Sequence, residues 1–127
     1  MTITIPRLPP YECGLNTRVH WAVRAKATKA AHDEVIGLCR EQQGSQQPMG
    51  KATVTITFTV PDKRARDKGN LIAAAKPFLD GLRLAGVIAD DAWQFIDEIY
   101  LAIQYQKGVA QTTIIVEALP ETDANGD

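Results

Sequence analysis

Strict alternation of threonine with apolar residues marks the clearest element in the chain. In KATVTITFTV, residues 51–60, Val54, Ile56, Phe58 and Val60 share one face, and Thr53, Thr55, Thr57 and Thr59 share the other. That is a β-strand with one face for a core, and Pro61 stops it. Thr2-Ile3-Thr4-Ile5 repeats the pattern on a smaller scale and is closed by Pro6. Residues 99–105 and 110–118 read as two further strands, with Gln106-Lys107-Gly108 as the hairpin turn between them. A helical period governs Val19 to Glu41, where Trp21, Val23, Ala27, Ala31, Val35 and Cys39 (or Leu38) recur along one stripe. A second helix is expected from Gly69 to Ala85, with Leu71, Ile72, Ala75, Leu79 and Leu82 as its apolar side. Pro77 inside it predicts a kink or a restart, and Gly86 fits the position just past a helix end.

The order β-α-β-α-β-β implies an α/β (α+β) fold, a small mixed sheet of about four strands with two main helices packed on it. No internal repeat or second hydrophobic unit appears. The expected organisation is one domain over residues 1–119 and an acidic, disordered tail over 120–127.

Charge changes this picture more than composition does. The net charge is −1, yet residues 1–83 hold 13 of the 14 Lys/Arg against 7 Asp/Glu, a balance of +6. Residues 84–127 hold Lys107 alone against 8 acids, a balance of −7. Such a division suggests a basic face and an acidic edge or tail, or, more plainly, scattered charge with an acidic disordered tail; a near-neutral total does not argue against nucleic-acid binding, because phosphates respond to the local patch. Cys13 and Cys39 make no C-x-x-C spacing and no disulfide framework. The first residues, MTITIPRLPP, lack the basic and apolar regions of a signal peptide, and no apolar run is long enough to span a bilayer. A cytoplasmic protein without a membrane partner is expected.

The chemistry concentrates in DKRARDKGN, Asp62 to Asn70, where Lys63, Arg64, Arg66 and Lys68 crowd around Asp67. Cations that close repel one another unless an anion lies among them: a carboxylate, a phosphate backbone, or water in its place. Asp67 precedes the second helix, and Asp90 and Asp91 follow it. Clustered carboxylates suit a hard divalent cation, which can hold a scissile phosphate and activate water. The plainer reading has these aspartates capping turns and helix ends. Lys76 and Asp80 stand four apart, an ordinary surface ion pair or, more sharply, a lysine placed to stabilise charge on a phosphate. His20 and His32 have no partner at metal-ligand spacing. Neither a glycine-rich phosphate loop, a dinucleotide fingerprint nor G-x-S-x-G occurs, which argues against nucleotide-fuelled and serine-nucleophile chemistry.

PDKRARDKGNL, then KPFLDGL, then AGVIADDAWQ, in that order, resemble the RusA-type Holliday-junction resolvases (crossover junction endodeoxyribonucleases), a family common in prophages. The opening strand, LPP and Asn16 extend the likeness over about residues 1–118. The resemblance implies a homodimer that binds four-way DNA junctions and cuts paired strands by Mg²⁺-dependent phosphodiester hydrolysis, with Mn²⁺ as an alternative ion. It implies that Asp67, Asp90 and Asp91 bind metal and that Asp67, Asp91, Lys76 and Asn70 form the catalytic group. Asp80 would be the helix aspartate. Lys63, Arg64, Arg66 and Lys68, with Arg18, Arg24 and Lys26, would hold the DNA backbone, and the apolar strands toward the C-terminus would supply the dimer surface.

Two departures from the family pattern stand out. Gly69 occupies the place of the second aspartate in D-x-D-N-L, and a glycine supplies no side-chain ligand. Lys76 follows Asn70 by six residues instead of three, which rotates it by roughly 60° around a helix. A second reading therefore stands beside the first: a junction-binding protein that has lost cleavage. A third, an interaction domain whose likeness is fortuitous, predicts no salt-sensitive affinity for branched DNA.

Overall fold

The computed structural model describes residues 1–15, 17–43, 48–89 and 96–119. The sequence positions Asn16, Asp90, Asp91 and the 120–127 tail lie outside the described residues. Strand β1 (Thr2–Ile5) leads through a 3₁₀ turn (Tyr11–Cys13) into helix α1 (Trp21–Gln43). Strand β2 (Ala52–Val60), helices α2 (Lys68–Ala74) and α3 (Lys76–Leu84), and strands β3 (Ile96–Tyr105) and β4 (Gln111–Ala118) follow. The fold is the mixed α+β arrangement that the pattern implied.

The four strands form one sheet in the order β1-β4-β2-β3, and its topology corrects the expected hairpin. Strands β3 and β4 are consecutive in the chain but not neighbours: β2 lies between them, parallel to β3 and antiparallel to β4. The 106–110 connection instead crosses the end of β2, where the Gln106 and Gly108 amides donate to the carbonyls of Val60 and Pro61. Gly108 takes φ +74° there, a left-handed conformation that glycine adopts without steric cost. Both edges of β2 are thereby paired, which suits the strand with the strongest β pattern. Strands β1 and β3 form the sheet's edges.

The helices cover one face. Ala31, Val35 and Cys39 of α1 and Phe78 and Leu82 of α3 close over Ile3, Ile5, Val54, Ile56, Phe58, Ile114 and Val116. Gly81 lets α1 and α3 meet, since a Cβ on it would lie 2.7 Å from Val35 Cβ. Burial also raises the pKa of the Cys39 thiol by desolvation. The expected second helix divides at Ala75, and Pro77 falls in the first turn of α3, where a missing amide hydrogen costs nothing. At the other end the Gly86 amide (φ +79°) donates to Arg83 and the Val87 amide to Leu82, the paired hydrogen bonds of a Schellman stop. The expected stripe of α1 fails at its start: Trp21 is 74% exposed and Val23 47%, so the core begins only further along the helix. Among the described residues no helix is long and apolar enough to cross a membrane.

Candidate nucleic-acid interface

The basic loop between β2 and α2 is ordered by its own aspartates. Asp62 Oδ1 accepts from the Arg64 amide at 3.1 Å and pairs with Arg66 Nη1 at 3.0 Å. Arg66 also donates to the carbonyl oxygens of Asp62 (3.2 Å) and Arg64 (3.3 Å). Only 12% of its side chain is exposed, so Arg66 fastens the loop, whereas the Arg64 side chain is 77% exposed. The hydrogen bond from Arg66 is the main cause holding the Asp62 carboxyl below the usual aspartate range, helped by the Arg64 amide. Part of the crowding of cations is thus relieved within the loop.

Asp67 ends the loop as the N-cap of α2, its Oδ1 accepting from the Asn70 amide at 3.3 Å. The Asn70 side chain lies against Gly14, where a Cβ would stand 2.6 Å from Asn70 Oδ1. Gly14 therefore has to be small for α2 to approach the 3₁₀ turn. A Cβ on Gly69 would lie 3.3 Å from Asp67 Oδ1, so a side chain at that position would begin beside the Asp67 carboxylate.

A cleft of about 660 Å³ opens beside Asn70. Arg7, Tyr11, Lys26, Arg64 and Asn70 stand around it, with Glu12 as the acid. Three cations from three distant parts of the chain converge there: after β1, on α1 and on the β2–α2 loop. The sequence reading assigns Lys26 and Arg64 to the DNA backbone and gives Arg7 and Tyr11 no role. Arg7 is an isolated cation in a proline-rich stretch, and no local signal connects it to a loop some 57 residues away. Its guanidinium is oriented by Glu34 at 2.6 Å. Tyr11 is 68% exposed and presents an aromatic face.

The other predicted phosphate contacts divide by role. Arg18 and Lys68 are exposed, the latter at the start of α2. Lys63 lies over the Tyr105 ring, 5.1 Å from its centroid. Arg24 turns inward and donates to the carbonyls of Thr17 (3.0 Å) and Gly14 (3.4 Å), securing the segment before α1. Lys76 pairs with Asp80 at 2.8 Å, and His32 of α1 stands 3.8 Å from the same carboxylate. His32 is consequently half-buried in the α1–α3 contact.

Of the metal set expected from sequence, Asp67 alone lies within the described residues; Asp90 and Asp91 lie outside them. Among the described residues no three His, Cys, Asp or Glu side chains converge as a metal site. One carboxylate with water and phosphate oxygens is a minimal Mg²⁺ environment, so Asp67 fits a share in such a site and does not complete it.

No protein-family model matches the chain. A protein from Xylella fastidiosa (strain Temecula1 / ATCC 700964), described as uncharacterized, is 27% identical over 128 residues. The likeness spans 98% of this chain and 81% of that protein.

Proposed function

We propose that the protein is an Mg²⁺-dependent, structure-selective endodeoxyribonuclease of the RusA type, a dimer acting on four-way DNA junctions. The observation that carries this reading is the cleft: Arg7, Lys26 and Arg64 meet there against Asn70, one helical turn from Asp67. Phosphate oxygens are the anions that such a set of exposed cations accommodates, and contacts of this kind position a duplex without reading its sequence. Arg66 supports the reading indirectly, by holding the loop that presents Arg64.

Asp67, with Asp90 and Asp91, would hold the ion, which supplies Lewis-acid polarisation of the phosphate and a more acidic bound water. Asn70 shapes the wall next to Asp67. Lys76 is assigned to charge stabilisation on the phosphate, its ammonium oriented by Asp80, which His32 backs from α1. Cleavage of a labelled four-way junction, with and without Mg²⁺, tests the proposal alongside Asp67→Asn and Asp91→Asn. Paired nicks that require the ion and vanish in both variants are expected. Junction affinity that is indifferent to salt would overturn it.

Gly69 favours a second reading, a junction-binding protein with an impaired site. The position lies beside the Asp67 carboxylate, so the missing family aspartate would have stood next to the first. On this reading the wild type binds junctions without nicking them, and Gly69→Asp restores cleavage. Robust wild-type cleavage removes it.

A further inference from the structure

Strand β3 is the anomaly of the sheet. It lies at an edge, and among the described residues nothing pairs with its outer side. Ile99 (42%), Tyr100 (52%), Ile103 (38%) and Tyr105 (46%) are all large and exposed on this one ten-residue strand. Edge strands are usually kept short, charged or covered, because a long apolar edge templates pairing with another chain. The other edge, β1, shows the usual restraint, with four residues and only its threonines exposed.

We infer that the outer edge of β3 is the interface between two copies of this chain, paired antiparallel about a two-fold axis at Ala102 to make one continuous eight-stranded sheet. The backbone sets the register. The Gln106 amide points at Val60 of β2, so alternation directs the even residues of β3 inward and presents the amides and carbonyls of Ile99, Leu101, Ile103 and Tyr105 to the open edge. An antiparallel ladder must join outward residues to outward residues. Centring on Ala102 joins Ile99 to Tyr105 and Leu101 to Ile103 of the other copy, each twice. That register alone matches all four apolar residues with one another. A shift of two in either direction faces an end residue with Asp97 or Lys107.

Charge selects the same orientation. The start of β3 is acidic, with Asp97 and Glu98 exposed, and its end is basic, with Lys107 in the turn and Lys63 stacked on Tyr105. Antiparallel pairing brings the acidic start of one copy to the basic end of the other at both ends of the ladder, whereas parallel pairing would set like against like. The same apolar patch on both subunits is what a closed two-fold interface requires. The pairing rests on the dimer proposed above only for the number of copies.

Ala102→Cys provides the test. Its inward-directed backbone makes Ala102 and its symmetry mate a non-hydrogen-bonded pair, with Cα atoms about 4.5 Å apart, within disulfide reach. Gln104→Cys would stand about 14 Å from its own copy and serves as the control. Both native cysteines are buried. Under mild oxidation Ala102→Cys is expected to run as a covalent dimer and Gln104→Cys as a monomer. Ile103→Lys is expected to reduce the sedimenting mass from twice to once the 13.9 kDa chain. A wild type that is monomeric at every concentration, or a dimer that Ala102→Cys fails to cross-link, overturns the interface. Junction cleavage scored on the same preparations separates the two proposals. A cross-linked dimer that never cuts DNA upholds the interface and removes the nuclease, and cleavage without the cross-link does the reverse.

Discussion

Strands β2 and β3 run side by side in parallel and in register, Val54 with Ile99, Ile56 with Leu101, Phe58 with Ile103 and Val60 with Tyr105. Both carry large apolar residues on the face toward the helices. Yet Phe58 is fully buried and its register partner Ile103 is 38% exposed. The difference lies in what covers them. The core draws on α1, α3, β1, β2 and β4 but takes only Ile96 of β3 as a buried member, with Leu101 packed at its margin. An apolar side chain stabilises a monomer only where another element removes it from water. Strand β3 carries large apolar residues without the cover, and the proposed pairing of two copies rests on that property.

This contrast can be tested first at the paired positions themselves. Phe58→Ala leaves a cavity under both helices and is expected to cost about 3–5 kcal/mol of stability, read from denaturant unfolding. Gly81→Ala forces a methyl into Val35 and is expected to cost about 1–3 kcal/mol, since overpacking outweighs the better helix propensity. The opposite result, a gain in stability, would show that α1 and α3 are free to separate. Ile103→Ala is expected to cost the folded subunit about 1 kcal/mol or less and to weaken self-association instead. A loss as large as that of Phe58→Ala would mean that β3 belongs to the subunit core.

The comparison extends to binding. Lys26→Ala with Arg64→Ala is expected to lower the slope of junction affinity against salt by about 2, one for each phosphate contact. Ile103→Lys should leave the slope per subunit unaltered. The smallest effect is a titration on β3 itself. A hydrogen bond to Glu98, with the carboxylate's negative charge, raises the Tyr100 phenol above the usual tyrosine range. A raised folded pKa contributes stability that is complete below the ordinary tyrosine value and is lost as pH rises through the raised one. Absorbance titration should therefore place Tyr100 late, and Glu98→Gln should bring it earlier.

The sequence read alone determined the elements. Threonine alternation, the helical stripe of α1 beyond its first turns, the restart near Pro77 and the glycine stop at Gly86 are local rules, enforced by backbone sterics and hydrogen bonding between residues close in the chain. It also located the loop of cations around Asp67. Tertiary structure decided the rest. Strand β2 inserted between β3 and β4, because the most strongly patterned strand could be paired on both edges, and no turn signal reports what lies between two strands. Helices α1 and α3 settled over one part of the sheet and left Trp21 at one end and β3 at one edge in water. Arg66, indistinguishable in sequence from Arg64, turned inward to Asp62, while Arg7 reached the cleft from the segment after β1. Which cation meets solvent and which strand lacks a cover are outcomes of packing between distant segments, and that packing is global where the patterns are local.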